Sequence, residues 1–230
     1  MKLKFKKIYI AGIIITGFLT GCNNFDDINT NPDSFTQSNV SMQCLNVILS
    51  NLKFNGNDAH AYLQPNATSK YIGFANQNQM AEQYNGFKRS SFNGMTVLPN
   101  IDKMVEYAAQ TPMLASYEGI ARFSRAYMFY KLTMRMGDIP YSEANQATSH
   151  NNFQPKYDSQ QTILFGILDE LKEADAYFAQ GTKFEGDPTP FNGDPKLWRQ
   201  ASNALALRIL MSMSRKESDA SLKIKERFAE

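Results

Sequence analysis

The feature that most constrains this chain is a long apolar-periodic stretch with a hard stop. Between Ala115 and Met136, the residues Ile120, Phe123, Tyr127, Tyr130 and Met134 recur at helical spacing, with Arg122, Arg125, Lys131 and Arg135 off that stripe. Gly137 supplies a helix C-terminus, and Asp138-Ile139-Pro140-Tyr141 prevents continuation, because proline has no amide hydrogen and crowds the preceding turn. A helix this long with an aromatic stripe needs other elements to cover it, so the chain is committed to helix-on-helix packing.

The rest of the sequence supplies those partners. A core-facing helix is predicted from Val40 to Phe54, with Cys44, Leu45, Ile48, Leu49 and Leu52 inward and Ser41 or Asn39 as its cap. A weaker helix, rich in Asn and Gln, is predicted over Thr68–Tyr84. A third runs from Val97 to Gln110, with Pro99 in its first turn and Thr111-Pro112 at its end. Ser159 or Asp158 caps a fifth, to about Ala179, which buries Ile163, Leu164, Ile167, Leu168, Leu171, Ala174 and Phe178. Its wet face carries Asp169, Glu170, Glu173 and Asp175, read as solvated rather than as an acid–base cluster. Asp194-Pro195 opens a sixth helix, an N-cap followed by proline at the first helical position, running to about Arg215. Its apolar content (Leu197, Trp198, Leu205, Leu207, Leu210, Met211) predicts a central position. Trp198 is then core, and Asn203 and Arg208 are buried ties to backbone or carboxylates. Residues 216–230 are charged and extend or follow that helix. No strand pattern is visible. The fold class is all-α, built of antiparallel helical hairpins, with the pairs 97–136 and 159–215 about as long as helix-turn-helix repeats.

The N-terminus has a different character. Lys2, Lys4, Lys6 and Lys7 precede an apolar run from Ile8 to Leu19, then Leu19-Thr20-Gly21-Cys22. Charged start, short apolar core and small residues make a secretory signal. The cysteine directly after them makes it a bacterial lipoprotein signal, in which the Cys22 thiol takes a lipid and becomes the mature N-terminus. Twelve apolar residues are too few to span a bilayer core, which needs roughly 20. The expected organisation is a signal peptide over 1–21, a lipidated tether over 22–39 and a helical domain over 40–230. The tether, polar and weakly acidic, serves as a flexible spacer, a surface-sorting address, or both.

The signal also distorts the charge balance. The whole chain is formally +2, but four of its 24 basic residues lie in the first seven positions. From Cys22 onward, 20 basic face 22 acidic side chains, a net of −2. No basic surplus remains for nucleic acid, and attachment to a membrane falls to the lipid. With Cys22 acylated, Cys44 is the one remaining thiol and is expected in the core. His60 and His150 are isolated, and no HExxH or CxxC spacing occurs, so no metal or cofactor is expected.

Residues 84–96, YNGFKRSSFNGMT, break the helical pattern with two Asn-Gly turns. Tyr84, Phe87, Arg89, Phe92 and Asn93 are the candidate ligand contacts. Ring faces cover the apolar C–H patches of a sugar, while amide and guanidinium groups take its hydroxyls. The competing reading is packing of these rings onto the body.

Four stretches together resemble one family. Met134-Arg-Met-Gly-Asp-Ile-Pro-Tyr-Ser-Glu-Ala144 is similar to the long-helix terminus of the SusD/RagB outer-membrane lipoproteins of Bacteroidota. Phe25-Asp26-Asp27-Ile28-Asn29-Thr30-Asn31-Pro32 resembles the segment after the lipidated cysteine in that family. Trp198 to Arg208 resembles a helix in which tryptophan, small residues and arginine recur, and Leu19–Cys22 matches the lipobox. The resemblance implies a tetratricopeptide-like scaffold anchored on the outer leaflet of the outer membrane. It also implies a TonB-dependent, SusC-like transporter as partner, and capture of a glycan or peptide without catalysis. Family members are considerably longer, so the chain is expected to be an N-terminal portion or a truncated product. Two other functions compete. A surface glycoside hydrolase needs two carboxylates facing one cleft, and none stand out as a pair. A plain helical-repeat interaction protein needs no small ligand.

Overall fold

Asn39 starts the first helix by accepting the Met42 amide (2.9 Å) and the Ser41 hydroxyl (2.8 Å) on its side-chain oxygen. The computed structural model describes residues 39–52, 64–73, 75, 84, 90–216, 218–219 and 222–229. In chain order the elements are α1 (Val40–Leu52), α2 (Gln64–Thr68), a 3-10 segment (Phe92–Val97), α3 (Leu98–Ala108), α4 (Leu114–Met136), α5 (Ala147–His150), α6 (Gln160–Gln180), α7 (Pro195–Ser212), a 3-10 turn (Ser214–Lys216) and α8 (Ile224–Ala229). Among the described residues the extended structure amounts to an isolated bridge between Ile139 and Asp158.

The long helix α4 is the spine. It packs on α6 along one side and on α3 and α1 along another, and α6 in turn carries α7. The hairpins α3–α4 and α6–α7 are those expected from the sequence. The interior of α4 is wider than its aromatic stripe. Gly119, Ala121, Ser124 and Ala126 are buried beside Ile120, Phe123, Met128 and Phe129. Tyr127 and Tyr130 are half-buried, and Met134 is exposed, against expectation. Covering a helix from two sides buries its small residues as well as its large ones.

Two more expected faces are turned. On α1 the buried residues are Cys44, Val47, Ile48 and Asn51, while Leu45, Leu49 and Leu52 lie outward. Asn51 fastens that face alongside the buried Cys44, Val47 and Ile48: its amide donates to the Ser124 carbonyl (3.1 Å), and its own carbonyl accepts Lys131 Nζ (2.6 Å). On α7, Trp198, Leu205, Ile209 and Leu210 are buried, but Ala204, Leu207, Arg208 and Met211 are exposed, so the helix is not central. Asn203 is also exposed, yet it ties to a carboxylate as expected, donating to Asp175 at 3.0 Å. Of the predicted helix over Thr68–Tyr84, residues 74 and 76–83 lie outside the described residues, and the described residues 69–73 are not helical. α2 ends at Thr68, and Tyr71 donates its amide back to the Asn66 carbonyl while Lys70 turns left-handed at φ 64°.

Trp198 is core, as predicted. It is 1% exposed, with Phe123 and Phe191 edge-on and Phe178 stacked. Its indole donates to Asp187 (2.8 Å), which also accepts the Thr189 and Gly193 amides. Two Gly-Asp-Pro runs, at 186–188 and 193–195, thus do different work. Asp187 organises the loop, and Asp194 caps α7 by accepting the Lys196 amide.

Candidate functional site

The turn after α4 is where the sequence speaks most clearly, and the structure shows what it holds. Gly137, at φ 78°, returns its amide to the Thr133 carbonyl, and the Thr133 hydroxyl donates to the Gly137 carbonyl. Asp138 accepts the Gln160 amide at the start of α6, and Ser159 accepts that of Thr162. Ile139 is fully buried. The Tyr141 ring meets Phe129 edge-on at 4.9 Å and gives its hydroxyl to Glu170 Oε1 (2.7 Å). Arg125 Nε donates to the same oxygen at 2.8 Å. Glu170, expected on the wet face of α6, is therefore buried: Arg125 and Tyr141 draw it inward. Burial raises its pKa against the pull of Arg125, and burial beside Glu170 raises that of Tyr141. This cluster ties α4, the turn and α6 together. It is a structural joint, enclosed rather than open to a ligand.

Beyond the joint, residues 142–158 form a loop fastened by two carboxylates. Asp158 Oδ2 accepts the amides of Tyr141 and Ser142 and the Ser142 hydroxyl. Glu143 accepts the Asn152 side-chain amide and the Lys156 backbone amide, and pairs with Lys156 Nζ at 3.4 Å. Asp158 is held below its ordinary pKa: burial pushes it up, but the Ser142 and Tyr141 donors and Lys156 outweigh that. Glu143 is held down first by the Lys156 amide and then by the Asn152 side chain.

Across from this loop lie two of the predicted ligand contacts. Phe92 and Asn93 begin the 3-10 segment, where Ser91 accepts the Asn93 amide at 3.1 Å, instead of lying in an open loop as expected. Both are exposed. Phe92 meets Tyr157 edge-on, with centroids 6.3 Å apart and planes at 85°. Tyr157 carries little signal in the sequence: it is an aromatic residue in a polar loop, as is Phe153. Tyr84 is exposed and lines a hollow of about 410 Å³ with Ala67, Lys70, Tyr71, Ile72, Gly73 and Ala75. Phe87, Arg89 and Cys22 lie outside the described residues.

A second hollow, of about 430 Å³, lies between α6, α7 and α8, floored by Leu168, Leu171, Leu207 and Leu210. Its Arg199 and Asn203 both donate to Asp175, and Arg227 pairs with Asp169, so these groups hold α7 and α8 to α6. Among the described residues no group of His, Cys, Asp and Glu is placed to hold a metal ion, and no helix is long and apolar enough to cross a membrane.

The comparisons with known proteins agree with this architecture. A family model described as SusD-like, starch-binding associating with outer membrane, matches residues 26–230. A SusD homologue from Bacteroides fragilis superposes with a TM-score of 0.76 at 34% identity, over 84% of this chain and 40% of its own. An outer-membrane protein of Bacteroides vulgatus with a proposed role in nutrient binding gives 0.66 at 34% identity, over 83% and 40%. A further SusD homologue from Bacteroides fragilis gives 0.62 at 31% identity, over 77% and 36%. No curated protein matches the chain. The chain thus spans about 40% of the length of the first two solved relatives. A family match across nearly all of the sequence, on a helical scaffold whose Gly-Asp-Ile-Pro-Tyr turn is locked as described, places the chain in the SusD-like family.

Proposed function

We propose that this protein is a surface nutrient-binding lipoprotein of the outer membrane, acylated at Cys22 and exposed to the cell exterior. It captures a glycan or peptide and passes it to a TonB-dependent, SusC-like transporter, binding without catalysing. The observation that carries this reading is the SusD-like match over residues 26–230, beside a 34% identical outer-membrane relative with a proposed role in nutrient binding. The signal pattern ending at Cys22 supports the anchor, and a net of −2 after position 21 leaves the lipid as the means of attachment. The ligand contacts in this reading are Tyr84, Phe87, Arg89, Phe92 and Asn93.

Membrane fractionation of cells expressing the full chain, and of its Cys22→Ser variant, tests the anchor. The parent protein is expected in the outer-membrane fraction and the variant in the soluble one. A variant that stays with the membrane refutes lipid anchoring at Cys22. Affinity purification from detergent extracts is expected to bring down a large β-barrel protein. Retention of glycan without release of reducing sugar separates binding from hydrolysis.

A further inference from the structure

Stacked helical hairpins bury each layer against the next, and a terminal layer stays soluble by being polar on its outer side. The inner layers of this molecule follow that rule. α4 is covered by α1 and α3 on one side and by α6 on the other, and α6 lies between α4 and α7. α7 rests on α6 and α4. Its other main neighbours among the described residues are the 3-10 turn that follows it and the six-residue α8. So α7 holds the position of a terminal layer.

Its outer side is not polar. Ala204, Leu207 and Met211 recur there at spacings of three and four residues, and all are exposed, Met211 at 61%. Ala204 is small, which lets a second helix axis come close. Beside this stripe lies the hollow of about 430 Å³ with its leucine floor, and Phe228 of α8, 50% exposed, stands on its rim. The charged groups of that rim are already engaged, Arg199 and Asn203 with Asp175, and Arg227 with Asp169. What such a surface fits is therefore an amphipathic helix with apolar residues three and four apart, laid along α7. The outward residues of α1, at the other end of the stack, are weaker candidates, none being more than 40% exposed.

The source of that helix follows from the solved relatives. This chain accounts for 40% of the length of the first two, so most of each lies outside the portion matched here. We propose that the outer face of α7 and the adjoining hollow are the seat of a further helical hairpin of the SusD-like fold, drawn from the part of the fold outside the matched portion. The proposal concerns how the fold is completed, and it holds or fails whatever nutrient is bound.

The test is co-expression of the Cys22→Ser chain with a tagged polypeptide that carries the part of the Bacteroides fragilis homologue outside its matched 40%. The two are expected to co-purify as an equimolar complex by light scattering. Leu207→Gln with Met211→Gln should lower the recovered chain about tenfold with helicity unchanged, whereas Leu45→Gln with Leu49→Gln on α1 should not. Met211→Cys reports the contact directly, because Cys44, the other thiol of that variant, is fully buried. Maleimide should label Met211→Cys in the chain alone and about tenfold more slowly in the complex, while Leu45→Cys labels alike in both. If the tagged polypeptide is insoluble, joining the two through a Gly-Ser linker keeps the labelling comparison available. Failure to associate, an unaffected Leu207→Gln and Met211→Gln variant, or equal labelling of Met211→Cys with and without the second part overturns the proposal. Self-pairing through α7 that the second part does not displace also overturns it, and makes a second copy the occupant.

Discussion

Gly166 faces Tyr141 so closely that a Cβ there would lie 2.5 Å from ring carbon Cε1 and from the phenolic oxygen. The absence of a side chain on α6 is thus what lets Tyr141 reach Glu170. Gly166→Val adds the forbidden carbon and two methyls with little gain in helix propensity. It is expected to cost roughly 1–3 kcal/mol by overpacking, read as a lower urea midpoint. Gly94→Ala is the contrast, because the nearest atoms to a Cβ there are 3.6 Å away, an ordinary contact. The joint can also be broken from its acid. Glu170→Ala leaves Arg125, whose side chain is 24% exposed, without its carboxylate. A cost of roughly 3 kcal/mol is expected, toward the low end for a broken buried pair because Arg125 keeps some access to water. Equal midpoints for Glu170→Ala and the parent would mean that the cluster contributes nothing to the joint.

At the level of elements, the loop 142–158 is expected to be acid-sensitive. Asp158 and Glu143 both titrate below their ordinary values in the folded protein. The unfolded chain therefore binds protons first as pH falls. The stabilisation is full well above the unfolded values, about 3.9 for an aspartate and 4.3 for a glutamate, begins to fall near pH 5, and is lost as pH drops through the lowered folded values. Thermal melts between pH 6 and pH 3 should show this loss, and Asp158→Asn should flatten part of it. An unchanged slope in the variant would place the acid sensitivity elsewhere. The elements themselves were largely legible. The starts of α6 and α7 were readable from Ser159 and Asp194-Pro195, and the end of α4 from Gly137, because caps are local chemistry. The faces were less so. α1 has apolar residues on two sides, and which one turns in is decided by long-range contacts, the core packing of Val47 and Ile48 and the ties of Asn51 to Ser124 and Lys131. Glu170 looked solvated for the same reason, since its partners Arg125 and Tyr141 lie on α4 and the turn. The candidate site was half legible: Phe92 and Asn93 stood out as an aromatic and an amide beside a turn. Tyr157 did not, because no local pattern announces a contact across so long a stretch of chain.

At the scale of the molecule, the burial pattern of the described residues aligns exposed apolar side chains along faces of α1 and α7. On α1, Met42, Leu45, Leu49 and Leu52 are each 37–40% exposed at helical spacing. On α7, Leu207 is 44% and Met211 61% exposed, with Phe228 of α8 at 50% beside the same hollow. Scattered apolar residues on a surface are ordinary, but residues aligned along one helix face make a continuous patch that water wets poorly. α1 carries no charged residue, so nothing on that face opposes association with a like surface. The part of the chain from Cys22 onward, freed of its lipid by Cys22→Ser, is therefore expected to self-associate with rising concentration in sedimentation velocity. Replacing Leu45 and Leu49 by Gln should reduce that association with little loss of stability, because both side chains already face outward and the buried set Cys44, Val47 and Ile48 is untouched. Leu207→Gln with Met211→Gln makes the same test on α7. If the parent sediments as one species at all concentrations, the patches are too small to drive association. If it associates but neither pair of substitutions alters this, the contact lies on another face.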